Sequence, residues 1–179
     1  GKTSFLNAIS FFIPPQARVV SIEDTREIQL MHENWLPSVS RESTGLGTDR
    51  THGEITLFDL LKESFRQRPD YVIVGEVRGQ EAFVLFQGMA SGHPSFCTMH
   101  AEDVATMIRR LETPPINLSS SLVESIDVVC VMTQARVGNK IGRRLREIVE
   151  IINVRTRGFQ SNTPFTWDPR NDRFFFKTD

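Results

Sequence analysis

The stretch "RPDYVIVGEVRG" at residues 68–79 places four apolar or aromatic residues, 71–74, directly before Gly75 and the acid Glu76. A run this apolar predicts a strand buried on both faces, as in the parallel sheet of an α/β protein. Sheets that carry out phosphoryl transfer place a magnesium-handling carboxylate at the carboxyl end of such a strand. From these residues alone, an acid that merely ends a strand beside Arg78 is an equal alternative.

Helical and strand-like segments alternate on both sides of this stretch. The helical pattern has apolar residues at 3.6-residue spacing, and the strand pattern has short β-branched runs. The alternation predicts a parallel sheet with helices on both faces. Predicted helices are "KTSFLNAISFF", "LFDLLKESFRQ" with Thr56 as its cap and Asp59 in its first turn, "QEAFVLFQGMAS" and "EDVATMIRRLE"; predicted strands are "ARVVSIE", "PSFCTMHA" and "DVVCVMTQ". The polar stretch at residues 24–54 is read as a long functional loop.

The pattern changes after Thr133, where strands follow one another with turn signals between them. The turn signals are "VGNK" and the segment 168–172, which lies between two aromatic runs and predicts a hairpin. We therefore expect an α/β core at residues 1–134 and an antiparallel β extension of the same domain at 135–179.

Composition and charge describe one soluble globular domain, with 39% hydrophobic and 24% charged residues. No stretch approaches the roughly 20 apolar residues that span a bilayer. From residue 135 onward the sequence contains ten Lys or Arg but only five Asp or Glu, whereas the whole chain has a net charge of −1. This basic segment could face nucleic acid or an acidic membrane, but "RRLREIVEIINVR" is more simply a strand with one solvated face.

Three segments carry candidate chemistry besides Glu76. "GKTSFLNAIS" begins with the last residues of the phosphate-binding motif G-x-x-x-x-G-K-[ST]. "SIEDTRE" ends a strand in the paired acids Glu23 and Asp24, of which one can deprotonate an attacking water while another sits near a cation; paired acids are also ordinary turn residues.

The third segment, "GHPSFCTMHA", places His93 and His100 at the two ends of a predicted strand. Seven strand residues span roughly 23 Å, so the two imidazoles cannot share a metal ion. One histidine at the carboxyl end could meet nucleotide phosphates or the neighbouring acids, and a hydrogen-bonded structural histidine is the alternative.

Taken in order, GKT, "IED", "RPDYVIVGEVRG" and "GHPSFCTMHA" resemble the secretion-superfamily ATPases of type II and type IV secretion, type IV pili and the archaellum. The resemblance covers nearly the whole chain, and these segments look like the end of the Walker A loop, the Asp box, the Walker B strand and the His box. The segments at residues 22–39 and 89–129 are most similar to the archaeal type II secretion-like and archaellum motors. The resemblance implies a RecA-like P-loop NTPase core with ATP and Mg²⁺ as cofactors.

The resemblance also implies roles for individual residues, each carried over from the matching motif. Lys2 would pair with the β- and γ-phosphates and Thr3 would hold Mg²⁺, with Gly1 and Ser4 beside them. Glu76 would handle the cation through its water shell and Glu23 would position the lytic water. The resemblance does not fix which acid is the base, so we treat the two as a coupled pair with Glu23 favoured. His100 would link the γ-phosphate to the next subunit, Arg78 would brace the strand end or an interface, and Asp24 and the weaker candidate His93 would lie near the nucleotide.

A homo-hexameric ring at the cytoplasmic face of a membrane is the assembly that the resemblance implies. It would bind a membrane platform protein, have no transmembrane segment and no nucleic-acid partner, and drive export or assembly of pilin-like subunits. We expect the chain to be cut inside its own phosphate loop and residues 1–179 alone to be inactive. A DNA-translocating relative and a non-hydrolysing assembly scaffold are the alternatives.

Overall fold

The computed structural model describes residues 1–41, 53–137, 140–155 and 158–177. Within them the chain divides into two units, one formed by Thr3–Met99 and the other by Gly1–Lys2 with His100–Asp179. The helices are α1 (Lys2–Ser10), α2 (Leu57–Ser64), α3 (Glu81–Ala90), α4 (Val104–Glu112) and α5 (Ser120–Val123), with a short 3₁₀ helix at Phe65–Gln67. The strands are β1 (Val19–Glu23), β2 (Trp35–Val39), β3 (Tyr71–Val74), β4 (Ser95–Cys97), β5 (Val128–Val137), β6 (Lys140–Arg155), β7 (Gly158–Asp168) and β8 (Arg173–Phe176).

The Thr3–Met99 unit is built on a parallel sheet with the strand order β2-β1-β3-β4. Ile22 of β1 lies opposite Val74 of β3, so the two strands end side by side. All five residues of β1 are buried, as expected for an inner strand covered on both faces. On one face, Leu6 of α1 joins a core cluster with Val19 and Ile73.

Helices α2 and α3 contact each other, and they contact β1 and β4 respectively. Thr56 and Asp59 form the predicted capping box at the start of α2, with the Thr56 side chain accepting from the amide of Asp59 at 3.2 Å. The ring of Phe65 lies so close to Gly88 of α3 that a Cβ there would be 2.1 Å from its Cζ. Glycine therefore lets α3 approach the end of α2.

An antiparallel sheet with the order β5-β6-β7-β8 forms most of the second unit, and α5 contacts β6. The predicted hairpin at 168–172 is present, with Asp168 of β7 paired to Arg173 of β8. Asp172 in this turn accepts two hydrogen bonds of 2.7 Å from the guanidinium of Arg144 and one of 2.8 Å from the indole of Trp167. These bonds hold the pKa of Asp172 at about 2, chiefly because of Arg144.

The α/β fold class predicted from the sequence, with a parallel sheet and an antiparallel extension, is confirmed. Two strand predictions were wrong. The segment "DVVCVMTQ" was expected in the parallel sheet, but it forms β5 and pairs antiparallel with β6. The strand expected at residues 94–101 is only the three residues of β4. The predicted domain boundary at 134/135 stays a prediction, although β5 runs through it.

The long stretch read as a loop contains a strand that was not predicted. This strand, β2, lies at one edge of its sheet, where Pro37 is tolerated because an edge strand has one side without ladder hydrogen bonds. The side chains of β2 are at least partly exposed, and its sequence lacks the continuous apolar run of β1 and β3. The rest of that loop at 42–52 and the turn expected at 138–139 lie outside the described residues. Among the helices of the described residues, none has the length and apolar character that a bilayer crossing needs.

Candidate functional site

Lys2 at the start of α1 lies against His100, which follows β4 by three residues. The Nζ atom of Lys2 is 3.3 Å from Nδ1 and 3.4 Å from Nε2 of the imidazole. A neutral imidazole has one nitrogen that can accept from an ammonium, so the ring as a neutral tautomer suits this contact. The structure therefore brings together two predicted phosphate-contacting side chains that are 98 residues apart in the chain.

The backbone of His100 is held by Arg110 of α4, whose guanidinium donates a short hydrogen bond to the carbonyl oxygen of His100. Helix α4 itself begins at a well-formed cap, because the carboxylate of Asp103 accepts from the amide of Thr106 at 2.7 Å. Arg110 thus ties the position of His100 to a capped helix. The sequence did not identify Arg110, which lies in a helical pattern like any solvated arginine.

The remaining residues of the phosphate-loop fragment lie at the same end of α1. Gly1 packs against the side chain of Arg143 in β6. Thr3 is half-buried and Ser4 is exposed, both in the first turn of α1, which contains no acidic residue. The first amides of a helix have no partner within it and attract negative charge.

Glu23 ends β1 and is almost completely buried, with 2% of its surface exposed. Its Oε1 accepts from the backbone amides of Glu27 at 2.9 Å and Ile28 at 2.8 Å. Its Oε2 is buried and has no hydrogen-bond partner among the described residues. One oxygen of Glu23 therefore fixes the bend after β1, while the other remains available to accept a proton or a hydrogen bond.

Gly75, directly after β3, lies against Glu23. A Cβ at Gly75 would be 3.0 Å from Cγ of Glu23, which is closer than packed side chains normally come. The amide of Gly75 also donates to the carbonyl oxygen of Ile22 at 2.8 Å. Glycine at this position therefore allows the predicted acid of β1 to approach the end of β3.

Glu76 forms an ion pair with Arg78, whose Nη2 donates a short hydrogen bond to Oε2 of Glu76. The bond to Glu76 is the main reason why the pKa of Arg78 is raised, and the charge of Asp24 adds to the effect. The backbone amides of Arg78 and Gly79 donate to the carboxylate of Glu81 at 2.6 and 2.7 Å, which fixes the turn into α3. The predicted role of Arg78 in bracing the strand end or an interface stays a prediction.

Asp24 is exposed and accepts a 2.9 Å hydrogen bond from the hydroxyl of Ser40. It follows Glu23 in the chain, and its negative charge helps to raise the pKa of Arg78. The three predicted acids Glu23, Asp24 and Glu76 therefore lie at the carboxyl ends of the adjacent strands β1 and β3.

His93, in contrast, has the contacts of a structural histidine. Its ring lies edge-on to Phe65, with 5.0 Å between the ring centroids, and its Nδ1 is 3.2 Å from the carbonyl oxygen of Gly88. These contacts join α2 to the end of α3. The role of His93 at the nucleotide stays a prediction.

The described residues contain no group of three or more His, Cys, Asp or Glu side chains that could hold a metal ion. Mg²⁺ keeps several waters and is usually held by one or two carboxylates plus a substrate phosphate. Thr3 and Glu76 are the predicted ligands of such an ion.

Known proteins resemble this chain over most of its length. The sequence model of the family described as "Type II/IV secretion system protein" matches residues 1–162. An uncharacterised protein of Methanocaldococcus jannaschii is 43% identical over 178 residues, covering 98% of this chain and 64% of the relative. The conjugal transfer protein TrbB of Rhizobium radiobacter is 34% identical over 167 residues, covering 90% of this chain and 48% of TrbB.

Solved structures show the same fold. The crystal structure of the VirB11 ATPase from the Brucella suis type IV secretion system, in complex with sulphate, matches with a TM-score of 0.66 and 26% identity, covering 84% of this chain and 45% of VirB11. This likeness confirms the RecA-like core predicted from the sequence. The chain spans about two thirds or less of the length of each of these relatives.

Proposed function

The chain belongs to the type II/IV secretion system protein family, and from this premise we propose that it is the ATP-hydrolysing domain of a motor in a secretion or pilus assembly machine. The observation that carries the proposal is the contact between Lys2 and His100 at the amino terminus of α1. Both side chains were predicted from separate motifs to meet the same phosphates. Their proximity supports a shared ligand.

In this proposal the ammonium of Lys2 binds the β- and γ-phosphates of ATP, and the first amides of α1 add their partial positive charge. An entering phosphate is a stronger acceptor for Lys2 than a neutral imidazole, because the hydrogen bond would then join two opposite charges. ATP would therefore draw Lys2 away from His100. The imidazole of His100 would then lie beside the γ-phosphate, with its backbone still held by Arg110.

Hydrolysis forms a bond from a water oxygen to the γ-phosphorus and breaks the bond from that phosphorus to the bridging oxygen of ADP. A proton of the attacking water must pass to a base. Glu23 is the better base because its Oε1 is fixed by two amides, which leaves Oε2 in a defined position to accept the proton.

Mg²⁺, when bound with ATP, would neutralise charge on the phosphates. Thr3 and Glu76 would hold it, Glu76 through its water shell. Arg78 now pairs with Glu76 and would have to share that carboxylate with a hydrated cation. Arg78 therefore balances the charge of Glu76 in this ion pair.

We also propose the finer features that the family resemblance implies. The full-length protein would form a homo-hexamer, remain cytoplasmic and peripheral to the membrane, and bind a membrane platform protein. It would drive export or assembly of pilin-like subunits. The similarity to a Methanocaldococcus protein supports placing it in the archaeal branch, and the resemblance of its motifs places it near the archaellum motors within that branch.

Two other functions are alternatives to this proposal, and the experiment described below distinguishes them from it. A DNA translocase would need a row of available cations, but two arginines of β6 are engaged: Arg144 pairs with Asp172, and Arg146 pairs with Glu147 at 2.7 Å. A non-hydrolysing scaffold would not need a buried carboxylate oxygen like that of Glu23, which costs free energy to desolvate.

The test is steady-state ATP hydrolysis by the full-length protein, with and without DNA, for wild type, Lys2→Ala and a control, Lys62→Ala on α2. We expect Mg²⁺-dependent turnover that DNA does not stimulate and that Lys2→Ala abolishes. Turnover that depends on DNA would support the translocase instead. Nucleotide binding without turnover in wild type would support the scaffold.

A further inference from the structure

The side chain of Arg143 lies directly over Gly1, the residue before the predicted phosphate-binding lysine. A Cβ built at Gly1 would be 3.1 Å from Cδ and 3.8 Å from Nε of Arg143. The absence of a side chain at Gly1 therefore allows a long cationic side chain from β6 to pass this close to the backbone. Arg143 and Gly1 are far apart in sequence, so only the folded chain shows this contact.

Arg143 differs from the neighbouring arginines of β6 in its charge partners. Arg144 is bound by Asp172 and Arg146 by Glu147. In residues 1–41, 53–137, 140–155 and 158–177, the guanidinium of Arg143 makes no hydrogen bond or ion pair, and the residue is exposed. Two of these three cations are thus neutralised by carboxylates, and the one beside Gly1 is not.

The surroundings of Gly1 contain a second cation. Lys2 follows Gly1, and its ammonium contacts an imidazole instead of a carboxylate. Two positive side chains that meet at one short segment without a carboxylate partner raise the local potential and favour an anion. A guanidinium can bind two phosphate oxygens at once through parallel N–H groups, which an ammonium cannot do.

We propose that Arg143 is a second phosphate-binding cation of the nucleotide site and acts in the same chain as Lys2. The inference rests on the proposed function, because it takes ATP as the ligand. The inference assigns Arg143, which belongs to the basic carboxyl-terminal segment, to phosphate binding. The sequence alone had suggested a solvated strand face or a nucleic-acid surface for this segment. Arg143 binds the triphosphate chain and does not stack on the base.

The experiment measures equilibrium binding of Mg-ATP and of inorganic tripolyphosphate, which has the phosphates but no base, to the full-length protein. The variants are Arg143→Ala, Arg143→Lys and the control Arg155→Ala. Arg155 is exposed on the same strand, and twelve residues of strand place it roughly 40 Å from Arg143. The control therefore removes the same charge at a distance.

We expect Arg143→Ala to weaken both ligands by about tenfold, since it removes hydrogen bonds to a charged group. Arg143→Lys should recover part of the loss because it keeps the charge but not the paired N–H groups. Arg155→Ala should stay within about twofold of wild type, because roughly 40 Å exceeds the Debye length at physiological salt. Thermal unfolding of each variant checks the fold, and the exposed position of Arg143 predicts an unchanged midpoint.

Two results would overturn the inference alone: wild-type affinities in Arg143→Ala, or weaker binding of ATP with unchanged binding of tripolyphosphate, which would indicate a contact to the base. Equal losses in Arg143→Ala and Arg155→Ala would also overturn it, because the effect would then be general charge. A wild-type protein that binds neither ligand would overturn the proposed function and this inference with it.

Discussion

The ends of β1 and β3 each present a glutamate, and the two glutamates are held in different ways. Glu23 after β1 is 2% exposed, and neutral backbone amides hold one of its oxygens. Glu76 after β3 has 18% of its side chain exposed and is held by Arg78, whose own side chain is 66% exposed. One carboxylate is buried and bound by backbone amides, and the other is paired with an exposed arginine.

We propose that this difference divides the chemistry between the two acids. A base must be held in position with an oxygen free, and Glu23 meets that requirement. A carboxylate that holds a hydrated cation must be able to exchange its positively charged partner for that cation. Glu76, which is paired with the exposed Arg78, meets this requirement. The resemblance to known motors left the two assignments open, and the hydrogen bonds favour Glu23 as the base.

The largest expected effect is that of Glu23→Gln in the full-length protein. We expect ATP hydrolysis to fall by about 10²–10⁴ with ATP affinity nearly unchanged, because a general base acts in the transition state. Glutamine keeps the size and can still accept from the two amides. Rapid-quench hydrolysis and equilibrium ATP binding measure the two quantities, and normal hydrolysis would remove Glu23 from the role of base.

Glu76→Gln should also reduce hydrolysis, by about 10², but its effect should depend on Mg²⁺. Losing the carboxylate weakens cation binding, so part of the rate should return at high Mg²⁺ concentration. Arg78→Ala is the matched variant and should change the rate only severalfold, since it removes an exposed partner. Turnover measured across a Mg²⁺ titration separates the two acids: Glu23→Gln should show no recovery.

Two glycines give an intermediate effect and separate function from packing. Gly75→Ala forces a Cβ to 3.0 Å from Glu23, so hydrolysis should fall by about tenfold with a loss of about 1–3 kcal/mol in the free energy of unfolding. Gly88→Ala meets the Phe65 ring and should lower stability at least as much, while turnover per folded molecule stays normal. Denaturant unfolding and ATP turnover, measured on the same samples, test both variants. Equal turnover per folded molecule in Gly75→Ala and Gly88→Ala would mean that Gly75 does not position Glu23.

The smallest expected effect concerns Asp172, a carboxylate that an arginine holds, as Arg78 holds Glu76. Its pKa is lowered to about 2 from an ordinary 3.8 because Arg144 and Trp167 bind the charged form. The stability that this contributes is fully present above about pH 4 and is lost as the pH falls through about 2. Asp172→Asn should therefore lower the unfolding midpoint by a few degrees at pH 7, and the difference from wild type should vanish near pH 2.

Much of the parallel sheet could be predicted because a strand that is buried on both faces has an almost continuous run of apolar residues. The apolar runs of β1 and β3 identified both strands and the positions of Glu23 and Glu76 at their ends. The edge strand β2 could not be predicted, since its side chains are partly exposed and it contains Pro37. The apolar run of β5 resembles a parallel strand, yet only Val131 in it is buried.

The contacts that define the candidate site could be predicted only in part. The motifs identified Lys2 and His100, but not that the two side chains contact each other. Arg110 and Arg143 carry no local signal, because solvated arginines are common on helices and strands. Their partners, the carbonyl oxygen of His100 and the backbone at Gly1, are selected by the tertiary fold.

The most direct test compares two histidines of the same motif in steady-state ATP hydrolysis by the full-length protein. His100 contacts Lys2, whereas His93 packs on Phe65. We expect His100→Ala to lower kcat strongly with little change in ATP affinity, and His93→Ala to lower the unfolding midpoint with nearly normal turnover per folded molecule. Wild-type kcat in His100→Ala, or a larger loss of turnover in His93→Ala, would contradict a nucleotide site built around Lys2 and His100.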